Sequence, residues 1–266
     1  MVDVNGFAAD GYLSPLDGLA WGDVCELNRR VAALEMDRPG WLFAKTTKKP
    51  HLLLTWLNAL VRDARILDPV ERILGPNLLC WGASFFAKRA HDPGMVTWHQ
   101  DSTYWGLSKP DIVTAWVAFT PSHRGNGCMR VIPGSHTVDQ LPHRDTYGPN
   151  NLLTRGQEVA VEVDESKAVD VVLAPGQFSL HHVRLVHGSE PNTSDEPRIG
   201  FAIRYLPTYV KQVSENADSA TLVRGVDEFR HFELEPAPQA DFHPDAVAFH
   251  ARVMDANRKI LYGEPV

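Results

Sequence analysis

The sequence predicts a mainly β protein, an antiparallel barrel or jelly roll with α-helices flanking it. Two observations carry that expectation. From Leu78 onward, short β-branched and aromatic runs alternate with Gly/Pro turns: "NLLCWGASFFAK", "MVTWHQDS", "DIVTAWVAFT", "GCMRVIPGS", "AVDVVLAPGQFSLHH" and "RIGFAIRYLP". Many short strands with such punctuation pair antiparallel in closed β architectures. Before Leu78 the apolar residues recur at helical spacing instead.

Taken in order, "PLDGLAWGDVCELNRRVAALEM" puts Leu19, Val24, Leu27, Val31 and Leu34 on one buried helical stripe. "HLLLTWLNALVRD" and "ILDPVERILG" continue the helical pattern, which Gly75-Pro76 stops. Between the strand runs, "HTVDQLPHRDTYGPNNLLTRGQE" is polar and strandless, and residues 139–158 read as a loop or lid. "DAVAFHARVMDANRKILYG" reads as a terminal helix with Asp245 as its N-cap. No linker or repeat divides the 266 residues. The expected organisation is one domain over 1–266, with a helical part to about 77, a β core over about 78–210 and an extension over 211–266.

Composition narrows the function. A net charge of −7 argues against nucleic acid or an anionic membrane as main partner. Cys25, Cys80 and Cys128 are widely spaced with no CxxC, which argues against a disulfide framework, a zinc ribbon or an iron–sulfur cluster. The apolar run "LLLTWLNALV" is too short to span a bilayer. The amino terminus lacks the basic and apolar regions of a signal peptide, so a cytoplasmic location is expected. Composition leaves the oligomeric state open.

Three His-x-Asp pairs occur: His99/Asp101, His143/Asp145 and His243/Asp245. The last contains a proline and opens a helix, and the second lies in the polar loop. Only His99 and Asp101 fall in a strand-like run, where alternation points both side chains to one face and rigidity suits a metal. His187, before Gly188-Ser189, is the best third ligand, with the adjacent His181 and His182 as rivals that read better as hydrogen-bonded core histidines. Two histidines and a carboxylate form the facial triad of non-haem Fe(II) oxygenases, and zinc is the alternative metal. Eleven residues beyond His187, alternation in "RIGFAIRYLP" sets Arg198, Gly200, Ala202 and Arg204 on one face. Two cations flanking two small residues suggest a pocket for a carboxylate, which an arginine fork binds bidentately.

In order, "TWHQDSTYWGL", "TAWVAFTP", "NGCMRVIPGSH", "HHVRLVHGSEPN" and "RIGFAIRY" resemble the phytanoyl-CoA dioxygenase family of Fe(II)/2-oxoglutarate oxygenases, over about Leu78 to Pro207. The resemblance implies a double-stranded β-helix, with Fe(II), 2-oxoglutarate and O₂ as cofactor and cosubstrates. It implies iron ligation by His99, Asp101 and His187. It pairs Arg198 with the distal carboxylate of 2-oxoglutarate, assisted by the Ser189 hydroxyl and flanked by Trp116. The implied reaction oxidises a substrate C–H bond and releases succinate and CO₂. Halogenases of this superfamily replace the carboxylate ligand with Ala or Gly, so Asp101 favours hydroxylation.

Tyr104, Trp105, Lys88 and Arg204 are candidate substrate or supporting residues, the two cations toward an anionic substrate or the cosubstrate. A small polar metabolite or natural-product intermediate suits the composition. Two other functions remain open at this point: an inactive jelly-roll binding protein and a zinc-dependent cupin-type hydrolase.

Overall fold

In a computed structural model, which describes residues 2–44, 47–214 and 217–262, thirteen strands and five α-helices are defined among the described residues. The chain opens with α1 (Val4–Asp10), β1 (Tyr12–Asp17), α2 (Trp21–Asp37), α3 (Thr55–Leu60) and α4 (Ala64–Leu74). The strands β2 (Leu78–Lys88), β3 (Val96–His99), β4 (Val113–Ala118) and β5 (Met129–Val131) follow. Next come β6 (His143–Asp145), β7 (Gln157–Val159), β8 (Val169–Asp170), β9 (Gln177–His182), β10 (His187–Ser189) and β11 (Arg198–Pro207). β12 (Ser219–Arg224), β13 (Glu233–Leu234) and α5 (Pro244–Tyr262) end it.

A seven-stranded sheet runs β1-β9-β4-β11-β2-β12-β13, and a four-stranded sheet runs β3-β10-β5-β8. They face each other across Trp116, Ala118 and Ala202 of the large sheet and Met129, Val131 and Leu185 of the small sheet and its flank. This is the expected jelly roll. Its large sheet draws β1 and β12 from outside the 78–210 span.

Side-chain alternation decides what each face of the large sheet meets. Phe85, Val113, Ala115, Val117, Phe178, Leu180, Phe201, Ile203 and Tyr205 pack outward against Leu27, Val31, Leu57, Ile66 and Val70 of the helices. Full burial of each large apolar side chain contributes ~1.5–3 kcal/mol. The intervening residues of β2, β4, β9 and β11 point between the sheets, and among them stand Thr114, Trp116, His181, Arg198 and Arg204.

Several sequence expectations change. The N-terminal part is not all helix, because β1 pairs with β9, and Leu19 precedes α2. "HLLLTWLNALVRD" forms a short 3-10 turn and α3 rather than one helix. Part of the polar loop is a hairpin, β6 on β7, although its residues lack strand propensity. Asp245 lies in the first turn of α5, and His243 Nδ1 accepts its N–H instead, at 3.3 Å. The end of the expected terminal helix at Gly263 lies outside the described residues. No described helix is long and apolar enough to cross a membrane.

The C-terminal segment is fastened by a buried ion pair. Glu235 accepts from Lys49 Nζ at 2.6 Å, Ser219 Oγ at 2.8 Å and Thr221 Oγ1 at 2.6 Å. Removing one partner of such a pair leaves the other charge stranded. Glu235→Ala is therefore expected to lose about 3–5 kcal/mol in denaturant titrations, whereas a loss under about 1 kcal/mol would show that Lys49 finds another partner.

Candidate metal centre

β3 and β10 are antiparallel neighbours whose register sets His187 directly opposite His99. Their rings lie 4.1 Å apart between centroids. Each ring is oriented the same way. His99 Nδ1 contacts Thr97 O at 2.9 Å, and His187 Nδ1 contacts Leu185 O at 2.9 Å. A carbonyl only accepts, so Nδ1 donates and a neutral ring presents the lone pair of Nε2 to the cavity. Burial keeps His187 neutral by holding it well below the usual histidine range.

Asp101 does not continue the strand. It opens a 3-10 turn, Asp101–Tyr104, and its N–H donates to Val183 O at 3.0 Å. Its carboxylate still returns to the site, with Oδ1 3.4 Å from His99 Nε2. Ligating atoms of His99, Asp101 and His187 all lie within 4.8 Å of one another.

These residues fit a divalent cation. His99 Nε2 is buried with no hydrogen-bond partner and faces a carboxylate oxygen, so two acceptors confront each other. An unpaired buried acceptor costs about 1–3 kcal/mol, and a cation between the two removes that cost. Two imidazoles and one carboxylate are the donor set suited to Fe(II) with open positions.

A pocket of about 440 Å³ opens beside the triad, lined by Thr114, Trp116, Met129, Ser189, Arg198 and Arg204 among others. Arg198 is 2% exposed, its Nε has no partner, and one Nη donates to Gly127 O. Burial lowers it to about 10, so it stays charged at neutral pH. Trp116 packs over it at 5.4 Å and covers Gly200. A Cβ at position 200 would stand 1.9 Å from the indole, which is why that position carries no side chain. Gly127, at φ +70°, lets its carbonyl reach Arg198, and a Cβ there would meet Glu190 O at 2.2 Å.

Lys88 lies behind this pocket, paired in register with Arg198. Its Nζ donates to Ser189 Oγ at 2.8 Å and to the Glu190 carbonyl. Lys88 therefore orients Ser189 rather than lining the pocket.

The other sequence candidates separate. Trp105 lines a second cleft and packs on Trp81 at 4.9 Å. Tyr104 lines neither and donates to Asp145 Oδ1 at 2.6 Å. Asp145 also binds Arg155, which stacks over Tyr104. His143 Nδ1 donates to Leu141 O at 2.8 Å, and its Nε2 accepts the Gln100 N–H at 3.0 Å. The 139–158 segment is thus pinned to the residue between His99 and Asp101. His182 faces His136 and accepts the Arg184 N–H, outside the site.

His181 departs from the satisfied core histidine expected for it. Both ring nitrogens are buried without hydrogen-bond partners, and Nε2 stands 3.8 Å from Asp101 Oδ2. Alternation in "QFSLHH" signals the direction though not the missing partners, since it separates an inward His181 from an outward His182. Lys48, missed entirely from sequence, lines the cleft beside Asp101.

A family model for phytanoyl-CoA dioxygenase (PhyH) matches residues 8–200. The chain belongs to the phytanoyl-CoA dioxygenase family. Its relatives include a probable alpha-ketoglutarate-dependent hypophosphite dioxygenase of Stutzerimonas stutzeri, 28% identical over 195 residues, which are 69% of this chain and 68% of that protein. Human peroxisomal phytanoyl-CoA dioxygenase is 34% identical over 48% of this chain, and the match spans only 39% of the human protein. Among solved structures, the non-heme monooxygenase ThoJ in its apo form superposes with a TM-score of 0.83 at 34% identity, covering 97% of both chains. CytC3 with Fe(II) and alpha-ketoglutarate gives 0.67 at 25% identity, over 90% of this chain and 94% of that one.

Two measurements check the chamber of this family member. Gly200→Ala should displace the buried indole and destabilise the protein by about 1–3 kcal/mol in urea titrations; an unchanged midpoint would mean that Trp116 relaxes freely. Burial, reinforced by Arg198 and opposed by Asp92, Glu190 and Cys128, lowers Lys88 to about 6 from 10.5. Across that window the unfolded chain binds a proton the folded one lacks, so this contribution to stability grows as pH rises and is lost as it falls. The rise in stability from pH 7 to 9 should flatten in Lys88→Met, and an equal slope would refute the assignment.

Proposed function

We propose that this protein is an Fe(II)- and 2-oxoglutarate-dependent oxygenase that oxidises a C–H bond of a small polar substrate, with release of succinate and CO₂. The observation that carries this reading is the pairing of an inward-facing His99–Asp101–His187 set with a buried arginine that has no carboxylate partner among the described residues. His99, Asp101 and His187 would hold Fe(II). Arg198 would take the distal carboxylate of 2-oxoglutarate by charge-assisted bonds, with Ser189, oriented by Lys88, as a further donor and Trp116 as one wall. Iron with 2-oxoglutarate supplies the oxidising chemistry when both are present, and the protein positions the reactants and excludes water. Asp101 keeps the full carboxylate-containing set, which supports hydroxylation or a related C–H oxidation over halogenation.

Nδ1 donation to Thr97 and Leu185 keeps both imidazoles ready to ligate through Nε2. Buried Arg198 meets its carboxylate in a poorly solvated pocket, where a charged hydrogen bond contributes about 1.5–3 kcal/mol.

The test combines iron binding with 2-oxoglutarate consumption measured as succinate release. His99→Ala and Asp101→Ala should lose high-affinity Fe(II) and all turnover, whereas His143→Ala and His243→Ala should keep the metal. Turnover retained in the first pair would refute the ligand set. Arg198→Ala should raise the 2-oxoglutarate requirement at least tenfold, the equivalent of about 1.4 kcal/mol; an unchanged requirement would place the carboxylate elsewhere.

A further inference from the structure

A second cleft, of about 980 Å³, lies next to the metal centre and shares Asp101, Phe86 and Arg204 with the first. We propose that it is the substrate site, and that Lys48 and Arg204 together clamp an oxyanion of the substrate, a carboxylate or a tetrahedral oxyanion. This rests on the oxygenase reading above and adds the substrate class to it.

The proposal follows from the charges lining the cleft. Three cations border it, Lys48, Lys49 and Arg204, against one carboxylate, Asp101. Lys49 is paired with Glu235 at 2.6 Å. Asp101 points its oxygens at His99 and His181. Among the described residues, Lys48 and Arg204 make no ion pair at all. Lys48 Nζ reaches only Thr154 Oγ1, at 3.4 Å. Arg204 gives one Nη to Ser84 Oγ at 2.6 Å and to Ala202 O at 3.5 Å.

The backbone brings these two cations together. Lys48 forms an isolated antiparallel bridge with Ser84, whose hydroxyl accepts from Arg204, and Ser84 lies in register with Ala202 of β11. Two like charges held in one partly enclosed cleft disfavour each other, and burial with Arg204's charge lowers Lys48 to about 8 even against the opposing charge of Asp101. An arrangement of this kind is stabilised by a ligand that brings the missing negative charge.

The walls set the rest of the substrate. Trp105 and Phe86 lie beneath the Arg204 guanidinium at 6.0 and 5.7 Å, and Trp81 packs on Trp105. An anion held at the two cations therefore extends an adjoining carbon segment along aromatic faces toward Asp101. Anchoring at one end fixes which C–H meets the metal centre.

The experiment uses protein loaded anaerobically with Fe(II) and 2-oxoglutarate. It is titrated at constant ionic strength with sodium acetate, sodium sulfate or acetamide, following tryptophan fluorescence, with Trp105→Phe showing which part of the signal comes from this cleft. Acetate or sulfate should give a saturable response that acetamide, the uncharged isostere of acetate, does not. The stronger of the two anions identifies a carboxylate or a tetrahedral oxyanion. Lys48→Gln and Arg204→Gln should each weaken that response at least about tenfold, and Lys48→Arg should retain most of it. Lys48 faces the cleft from an isolated bridge, so its variants give the result even if Arg204→Gln fails to fold.

An equal response to acetamide, or an unchanged response in both Gln variants, would overturn the subsite. So would a raised 2-oxoglutarate requirement for the visible charge-transfer band in those variants, because the cations would then serve the cosubstrate. Absence of the band in wild-type protein would instead overturn the oxygenase reading and the subsite with it.

Discussion

Two hydrogen bonds orient the centre of this jelly roll: His99 Nδ1 to Thr97 O and His187 Nδ1 to Leu185 O. Each runs from a ring to a carbonyl two residues earlier on the same segment, so the strand itself orients its histidine. Together they leave the Nε2 positions of a cross-strand pair facing one cavity. Without that orientation, the closeness of the rings would produce only a buried aromatic contact. Asp101 joins them because the chain turns after His99 and is caught by Val183 O. The large sheet and its helices then act as the rigid support that a metal site requires.

Charge is distributed in the interior with the same economy. Acceptors converge at the triad, while donors and cations converge in the chambers on either side. Arg198 and the Lys88–Ser189 pair border one chamber, Lys48 borders the other, and Arg204 lies between the two. Glu235 neutralises Lys49, a neighbouring cation that belongs to the scaffold. Asp101 stands at the junction, so one carboxylate separates the two anion-seeking regions. A buried cation without its anion is costly, so an anion that binds there would stabilise the protein by mass action.

Much of this was legible from sequence because strand alternation survives burial. The inward set Arg198, Gly200, Ala202 and Arg204 follows from a period of two, and the cross-sheet register leaves it intact. The His99–Asp101 pair was recognised on a partly mistaken premise, since the strand ends at His99 and a 3-10 turn returns the carboxylate. The hairpin within the polar segment was hidden by residues of low strand propensity, and tertiary pairing overrides that preference. Lys48 was invisible for a different reason. It lies in a polar run of ordinary appearance, and only its bridge to Ser84, far along the chain, brings it to the cleft. His181 was underestimated because a histidine beside another in a strand gives no indication of whether its nitrogens find partners.

The most direct test of the central claim is the visible spectrum of the protein under anaerobic conditions with Fe(II) and 2-oxoglutarate. Bidentate chelation of iron by the 2-oxo acid gives a weak charge-transfer band. The account predicts a band that needs both additions and is missing from His187→Ala. Wild-type protein that binds Fe(II) but develops no band on addition of 2-oxoglutarate would contradict it.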